Sequence, residues 1–190
     1  MCIQYEAGSE GGHIPFTDLQ QVQIELGIID LAGTVDAAMA YYVRHAISRF
    51  QADGNPNITV NISSAGGNTH YGLAIYDMLR IYKGEKSCIV TDEASSAATI
   101  ILQACTKRIA ARHSVFLIHP ISLTDVKMQQ LYGKKFAKLK KQTEMLQRAY
   151  EGIIAVRTRK SMRRIRNVCR KNTQMNAEQA LKFGFIDEII

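Results

Sequence analysis

Between residues 58 and 119 the chain alternates short apolar runs with longer amphipathic ones: "ITVNI", "THYGLAIYDMLRIY", "KSCIVT", "SAATIILQACTKR" and "SVFLIH". A brief β-branched run suits a buried strand, and a longer stretch of helical periodicity suits a helix. Strand, helix, strand, helix in this order points to right-handed βαβ crossovers on a parallel sheet, an α/β architecture. The same rhythm runs upstream. "QVQIELGIID" reads as a strand, and "TVDAAMAYYVRHAISRFQA" as a helix with Ala38, Tyr42, His45, Ala46 and Phe50 at helical spacing. "DGNPN" then breaks the chain.

Beyond His119 the pattern changes. From about Asp125 to Thr158 a long amphipathic stretch without proline predicts one long helix, and "SMRRIRNVCRK" a shorter one. "NAEQALKFGF" predicts a helix with Asn176 as N-cap and Gly184 as C-cap. "IDEII" ends the chain as a strand or extended segment. Residues 1–20 are polar and glycine-containing, which predicts an extended or mobile tail. No internal repeat or low-complexity linker divides the 190 residues, so residues 1–190 read as a single domain.

Several function classes are disfavoured. No apolar run reaches transmembrane length, and "MCIQYEAGSEGGH" lacks the basic start and apolar core of a signal peptide, so a cytoplasmic protein with no membrane association is expected. Cys2, Cys88, Cys105 and Cys169 are widely spaced and form no CxxC pair, so neither a zinc site nor a disulfide framework is expected, and Cys88 and Cys105 read as buried free thiols. The net charge of +7 concentrates in "GKKFAKLKKQTEMLQR" and "RTRKSMRRIRNVCRK". Without an aromatic-rich binding motif these blocks read as solvated or partner-facing helix surfaces rather than a nucleic-acid site.

Three strand ends carry the candidate chemistry. Gly66 and Gly67 follow "ITVNI" and let the main chain turn tightly with an N–H aimed into a cleft. "DEASS" follows "CIVT", and Ser95 or Ser96 there is either a helix cap or a nucleophile. "SVFLIH" ends on His119. In a parallel sheet these three ends share the carboxyl edge, where open α/β proteins place their sites. A serine, a histidine and a main-chain donor together form a serine-hydrolase set.

These residues resemble those of the ClpP-like serine peptidases, the proteolytic subunits of Clp proteases, within the wider crotonase-like fold. "NISSAGGNTHYGLAIYDML" is similar to the family's N-S-P-G-G segment and the helix after it. "DEASSAATIILQA" is similar to its G-x-A-A-S segment, "VFLIHP" to its M-I-H segment, and "NAEQALKFGFID" to its S-A-x-E-A-x-x-Y-G-x-x-D ending. The resemblance runs from about residue 22 to residue 190. It implies Ser96 as nucleophile, His119 as general base, and the N–H groups of Gly67 and Ala97 as oxyanion hole. Ser95 falls back to a supporting role, and His13, His45, His70 and His113 match no catalytic position.

The resemblance also implies heptameric rings, stacked in pairs, with the long helix after His119 as the handle between them. Polypeptides would be the substrates, delivered by an AAA+ unfoldase such as ClpX or ClpA, with no cofactor or metal. Three positions depart from the pattern. Ala65 replaces the proline, Asp92 replaces the glycine before the nucleophile, and Asn172 stands where the family has its catalytic aspartate. An amide can accept from a histidine Nδ1–H but supplies no charge to the imidazolium. The alternative to an active peptidase is therefore a weakly active or inactive ring subunit with a structural or regulatory role.

Overall fold

The computed structural model of the chain describes residues 17–122 and 132–190. Residues 1–16 of the expected tail, and the start of the long helix at Asp125, lie outside the described residues. The chain forms α1 (Asp18–Glu25), β1 (Ile28–Val35), α2 (Ala37–Ala52), β2 (Ile58–Gly67), α3 (Thr69–Ile81), β3 (Lys86–Ser95) and α4 (Ala98–Leu102). It continues with β4 (Lys107–Ala110), β5 (Val115–Ile118), α5 (Gly133–Thr158), α6 (Met162–Arg170), β6 (Thr173–Asn176), α7 (Ala177–Phe183) and β7 (Glu188–Ile189).

The sheet runs β1-β2-β3-β4-β7, with β5 also paired to β3 and β6 paired to β5. All pairs are parallel except β5 with β6. The βαβ rhythm of the sequence is therefore real, and β1, β2, β3 and β5 end at one edge. Strand β2 buries alternate residues Ile58, Val60, Ile62, Ser64 and Gly66. Helix α2 buries the stripe Met39, Tyr42, Val43, Ala46, Ile47 and Phe50, and Asp36 caps it by accepting from the Met39 N–H at 2.9 Å.

Four details differ from the sequence reading. "QVQIE" belongs to helix α1, not to a strand, and so do residues 18–20 of the expected tail. Alternating Val22 and Ile24 fit either element, but the reciprocal Thr17–Gln20 capping box starts a helix and Gly27, at φ +75°, ends it. Strands β2 and β3 run on through "SSAGG" and "TDEAS", where a turn and a loop are expected. Helix α4 stops at Leu102, and "KRIA" leaves it to become β4 beside β3.

The fourth correction concerns the cysteines. Cys88 on β3 and Cys105 after α4 are not free thiols but a disulfide, while Cys169 is free and buried. Strand β3 and the turn into β4 run side by side, with the Thr106 N–H donating to Lys86 O at 2.9 Å, and this brings together cysteines 17 residues apart. Of the 4 cysteines, two should titrate in denatured, unreduced protein and all four after reduction. Four before reduction would show the bond absent.

Among the described residues, helix α5 buries side chains only in its last turns. No residue from 133 to 149 is buried, whereas Tyr150, Glu151, Ile154, Ala155 and Thr158 are. Tyr132, Phe136 and Met145 are exposed apolar side chains on this arm. The protruding long helix thus matches the handle that the sequence implies.

Candidate active site

The end of β3 separates the two serines. Ser95 is 4% exposed and its hydroxyl donates to Glu93 Oε2 at 3.0 Å, so it faces inward and is occupied. Ser96 has φ +52°, a left-handed conformation that costs a serine energy and turns the chain sharply out of the strand. The turn is held by the Ser96 N–H, which donates to Leu117 O at 2.8 Å and fastens the end of β3 to β5. Neither serine caps α4, whose N-cap position is Ala97 and carries no side-chain hydrogen bond.

Strand β5 leads directly into His119. Ser96 and His119 line one open cleft of about 560 Å³, together with Gly67, His70, Ile121 and Leu146. Gly66 lies against the serine turn. A Cβ there would stand 2.6 Å from both Ser95 O and Ser96 Cβ, and 2.9 Å from Ala97 N. Gly67 is equally confined on its other side, where a Cβ would meet Val35 O at 2.5 Å. Both have positive φ, 98° and 149°. The glycine pair is therefore needed for close approach as well as for conformation.

His119 Nδ1 lies 2.6 Å from Pro120 O. A carbonyl oxygen only accepts, so Nδ1 is the donor in this contact, and the neutral ring in this tautomer has its lone pair on Nε2. Asn172 terminates α6 in a left-handed conformation, φ +47°, with its N–H donating to Cys169 O at 2.9 Å. The β5–β6 ladder ends on the pair Ile118 and Thr173, so Asn172 is the next position out, opposite His119. Among the described residues no side-chain hydrogen bond joins the two, and the Nδ1 contact is to Pro120.

The other carboxylates near the C-terminus are committed elsewhere. Arg108 is 5% exposed and binds Asp187 through Nε and Nη2, with Nη1 on Gln103 Oε1 at 2.7 Å and Gly184 O at 3.1 Å. Burial alone would raise the Asp187 pKa, but the hydrogen bonds and charge of Arg108, with the charge of Arg157, hold it below the ordinary value. Glu188 pairs with Lys107.

Some cleft residues carried no signal in the sequence. His70 reads there as an ordinary histidine, yet it opens α3 one turn after the glycines and faces the site. Leu146 comes from the distant helix α5, and no local pattern announces it. The role of the Pro120 carbonyl was likewise invisible, since main-chain oxygens leave no trace in residue type. Among the described residues no group of His, Cys, Asp or Glu is arranged to hold a metal ion, and no helix is long and apolar enough to cross a membrane.

The Clp protease family profile matches residues 12–190. An ATP-dependent Clp protease proteolytic subunit of Lactococcus lactis subsp. lactis (strain IL1403) is 30% identical over 167 residues, 86% of this chain and 82% of the relative. The protein of the same description from Streptococcus mutans serotype c (strain ATCC 700610 / UA159) is 32% identical over 167 residues, 86% of this chain and 84% of its own. Among solved structures, an Asn-to-Asp mutant of ClpP1 from Listeria monocytogenes superposes with a TM-score of 0.80 over 90% of this chain and 95% of its own, at 22% identity, which supports the fold. The chain belongs to the Clp protease family and is a Clp-type protease subunit.

Proposed function

We propose that the chain is a serine endopeptidase subunit that cleaves unfolded polypeptides, with Ser96 as nucleophile and His119 as general base. The observation that carries this reading is the contrast at the end of β3. Ser95 is buried and bonded to Glu93, whereas Ser96 sits on a strained turn and lines the cleft with His119. A nucleophile on a sharp strand-to-helix turn presents its oxygen clear of its own backbone.

The mechanism follows from the groups at hand. Ser96 Oγ attacks the peptide carbonyl while His119 Nε2 accepts its proton. The developing oxyanion is met by the N–H groups of Gly67 and Ala97, fixed donors that need no rearrangement as charge forms. His119 then returns the proton to the leaving amine, and water hydrolyses the acyl-enzyme by the same route. The bond from Nδ1 to the Pro120 carbonyl supports the tautomer this step requires. By the family pattern Asn172 holds the third catalytic position, on the main chain opposite His119. No cofactor enters any step.

Fluorophosphonate labelling tests the assignment. Label should appear on Ser96 in the unmodified protein, persist in Ser95→Ala and vanish in Ser96→Ala. Label on Ser95, or none at all, would refute the nucleophile.

The family likeness and the unpaired arm of α5 support assembly into heptameric rings, paired through that arm, in the cytoplasm with an AAA+ unfoldase such as ClpX or ClpA. The arm carries Lys134, Lys135, Lys138, Lys140 and Lys141, all exposed, before its first acid at Glu144. Two such arms brought together repel, and salt screens that repulsion, over about 10 Å at 0.1 M and over shorter distances as salt is raised. Pairing of rings should therefore strengthen as salt is raised, with single rings dominant at low ionic strength. Light scattering that showed a monomer at all salt concentrations would reject the assembly.

A further inference from the structure

Helix α5 reaches the catalytic turn through a buried relay of hydroxyl groups. Thr99 is fully buried and Tyr150 is 2% exposed. Thr99 Oγ1 donates to Ser96 O at 2.5 Å and lies 3.0 Å from Tyr150 Oη. The Thr99 proton is thereby used, so Tyr150 must donate to Thr99. The relay thus runs in the order Tyr150 O–H, Thr99 O–H, Ser96 O. One turn earlier on the same helix, Gln147 Oε1 accepts from the Ile121 N–H at 2.8 Å. Helix α5 thus holds the main chain just beyond His119 as well as the serine turn.

We infer that Tyr150 and Thr99 are positioning residues of the peptidase, holding the Ser96–Ala97 peptide plane from helix α5. This rests on the assignment of Ser96 and His119 made above. The Ser96 carbonyl and the Ala97 N–H belong to one rigid planar unit and point in opposite directions. Holding the carbonyl inward on Thr99 therefore holds the N–H outward, toward the oxyanion. The Thr99 N–H also donates to Ser96 O, at 3.0 Å, but that bond stays within the α4 turn and does not reach helix α5. The main-chain bond from Ser96 N–H to Leu117 O joins the ends of β3 and β5, and the side-chain relay adds the tie from the serine turn to helix α5. Burial pushes the Tyr150 pKa up, so the phenol stays protonated and is no acid or base in the reaction.

Tyr150→Phe keeps the ring and removes the relay. Thr99→Val keeps the shape and removes its other member, whereas Thr99→Ser retains the hydroxyl. Turnover of an activated peptide ester should show kcat reduced about ten- to hundredfold in Tyr150→Phe and in Thr99→Val, with KM within about twofold. Thr99→Ser should restore most of the rate, and the double variant Tyr150→Phe/Thr99→Val should be no slower than the slower single one, because one broken relay is already broken. The acid limb of the pH profile should stay in place. Fluorophosphonate on the unmodified protein is run alongside. If it labels Ser96 but the variants turn over at full rate, or their losses add, or Thr99→Ser stays slow, the relay has no positioning role and the nucleophile assignment stands. If it does not label Ser96, the assignment itself fails and this inference with it.

Discussion

Asn172→Asp should accelerate acylation of Ser96 by about ten- to hundredfold. In the proposed mechanism, proton transfer from Ser96 leaves an imidazolium at His119, and Asn172, one step beyond the Ile118–Thr173 pair, offers it no charge. In trypsin-like enzymes the reverse change, Asp to Asn, costs about 10⁴ in kcat, largely by selecting the wrong tautomer. That part of the loss is absent here, since Nδ1 already donates to Pro120 O. What remains to be gained is the electrostatic part, reduced because Asn172 is exposed. The fold should tolerate the change. Aspartate visits the left-handed region nearly as readily as asparagine, and a negative charge after the C-terminus of α6 is offset by Arg170 and Lys171. Single-turnover acylation by an activated peptide ester, followed as a function of pH, measures the effect. An equal or slower rate in a variant of unchanged assembly would remove Asn172 from the catalytic set.

The sheet was legible because hydrophobic period and chain order speak directly to it. "ITVNI", "CIVT" and "VFLI" are brief and apolar, and each leads to the same edge of a parallel sheet. The helix Ala177–Phe183 was legible to its caps, Asn176 and Gly184, since both work through local hydrogen bonds and dihedrals. Elements made by tertiary pairing were not. "KRIA" and "TQMN" are polar four-residue strands that exist because β3 and β5 offer free edges, and nothing in their own composition says so. The disulfide escaped for the same reason, as its closeness is produced by the β3–β4 pairing. At the site, side chains of distinctive chemistry could be named from motifs, and Ser96 and His119 do share a cleft. The Pro120 carbonyl and the Tyr150–Thr99 relay depend on main-chain atoms and on a helix 50 residues away, which no local spacing encodes.

Gly66→Ala should abolish labelling of Ser96, whereas Gly33→Ala should leave it intact, although both glycines have a left-handed φ near 90°. The conformational penalty is therefore shared, about 1–2 kcal/mol for an alanine in that region. The contacts are not shared. A methyl on Gly33 meets nothing within 4 Å. A methyl on Gly66 would press on Ser95 O, Ser96 Cβ and Ala97 N at 2.6, 2.6 and 2.9 Å, and two of those three contacts are main-chain atoms that cannot rotate away. Relief requires moving the serine turn, and with it both the nucleophile and the Ala97 N–H. Losing one oxyanion donor alone typically costs about 10²–10³ in rate, and displacing the nucleophile by about 1 Å can cost a further 10². Labelling rate and urea midpoint should thus separate the two variants: similar modest destabilisation from the shared φ, more for Gly66→Ala from the clash, but loss of reactivity in Gly66→Ala only. Equal labelling in both would mean that the serine turn is free to shift without consequence, and that the close packing of Gly66 on Ser96 does not define the site.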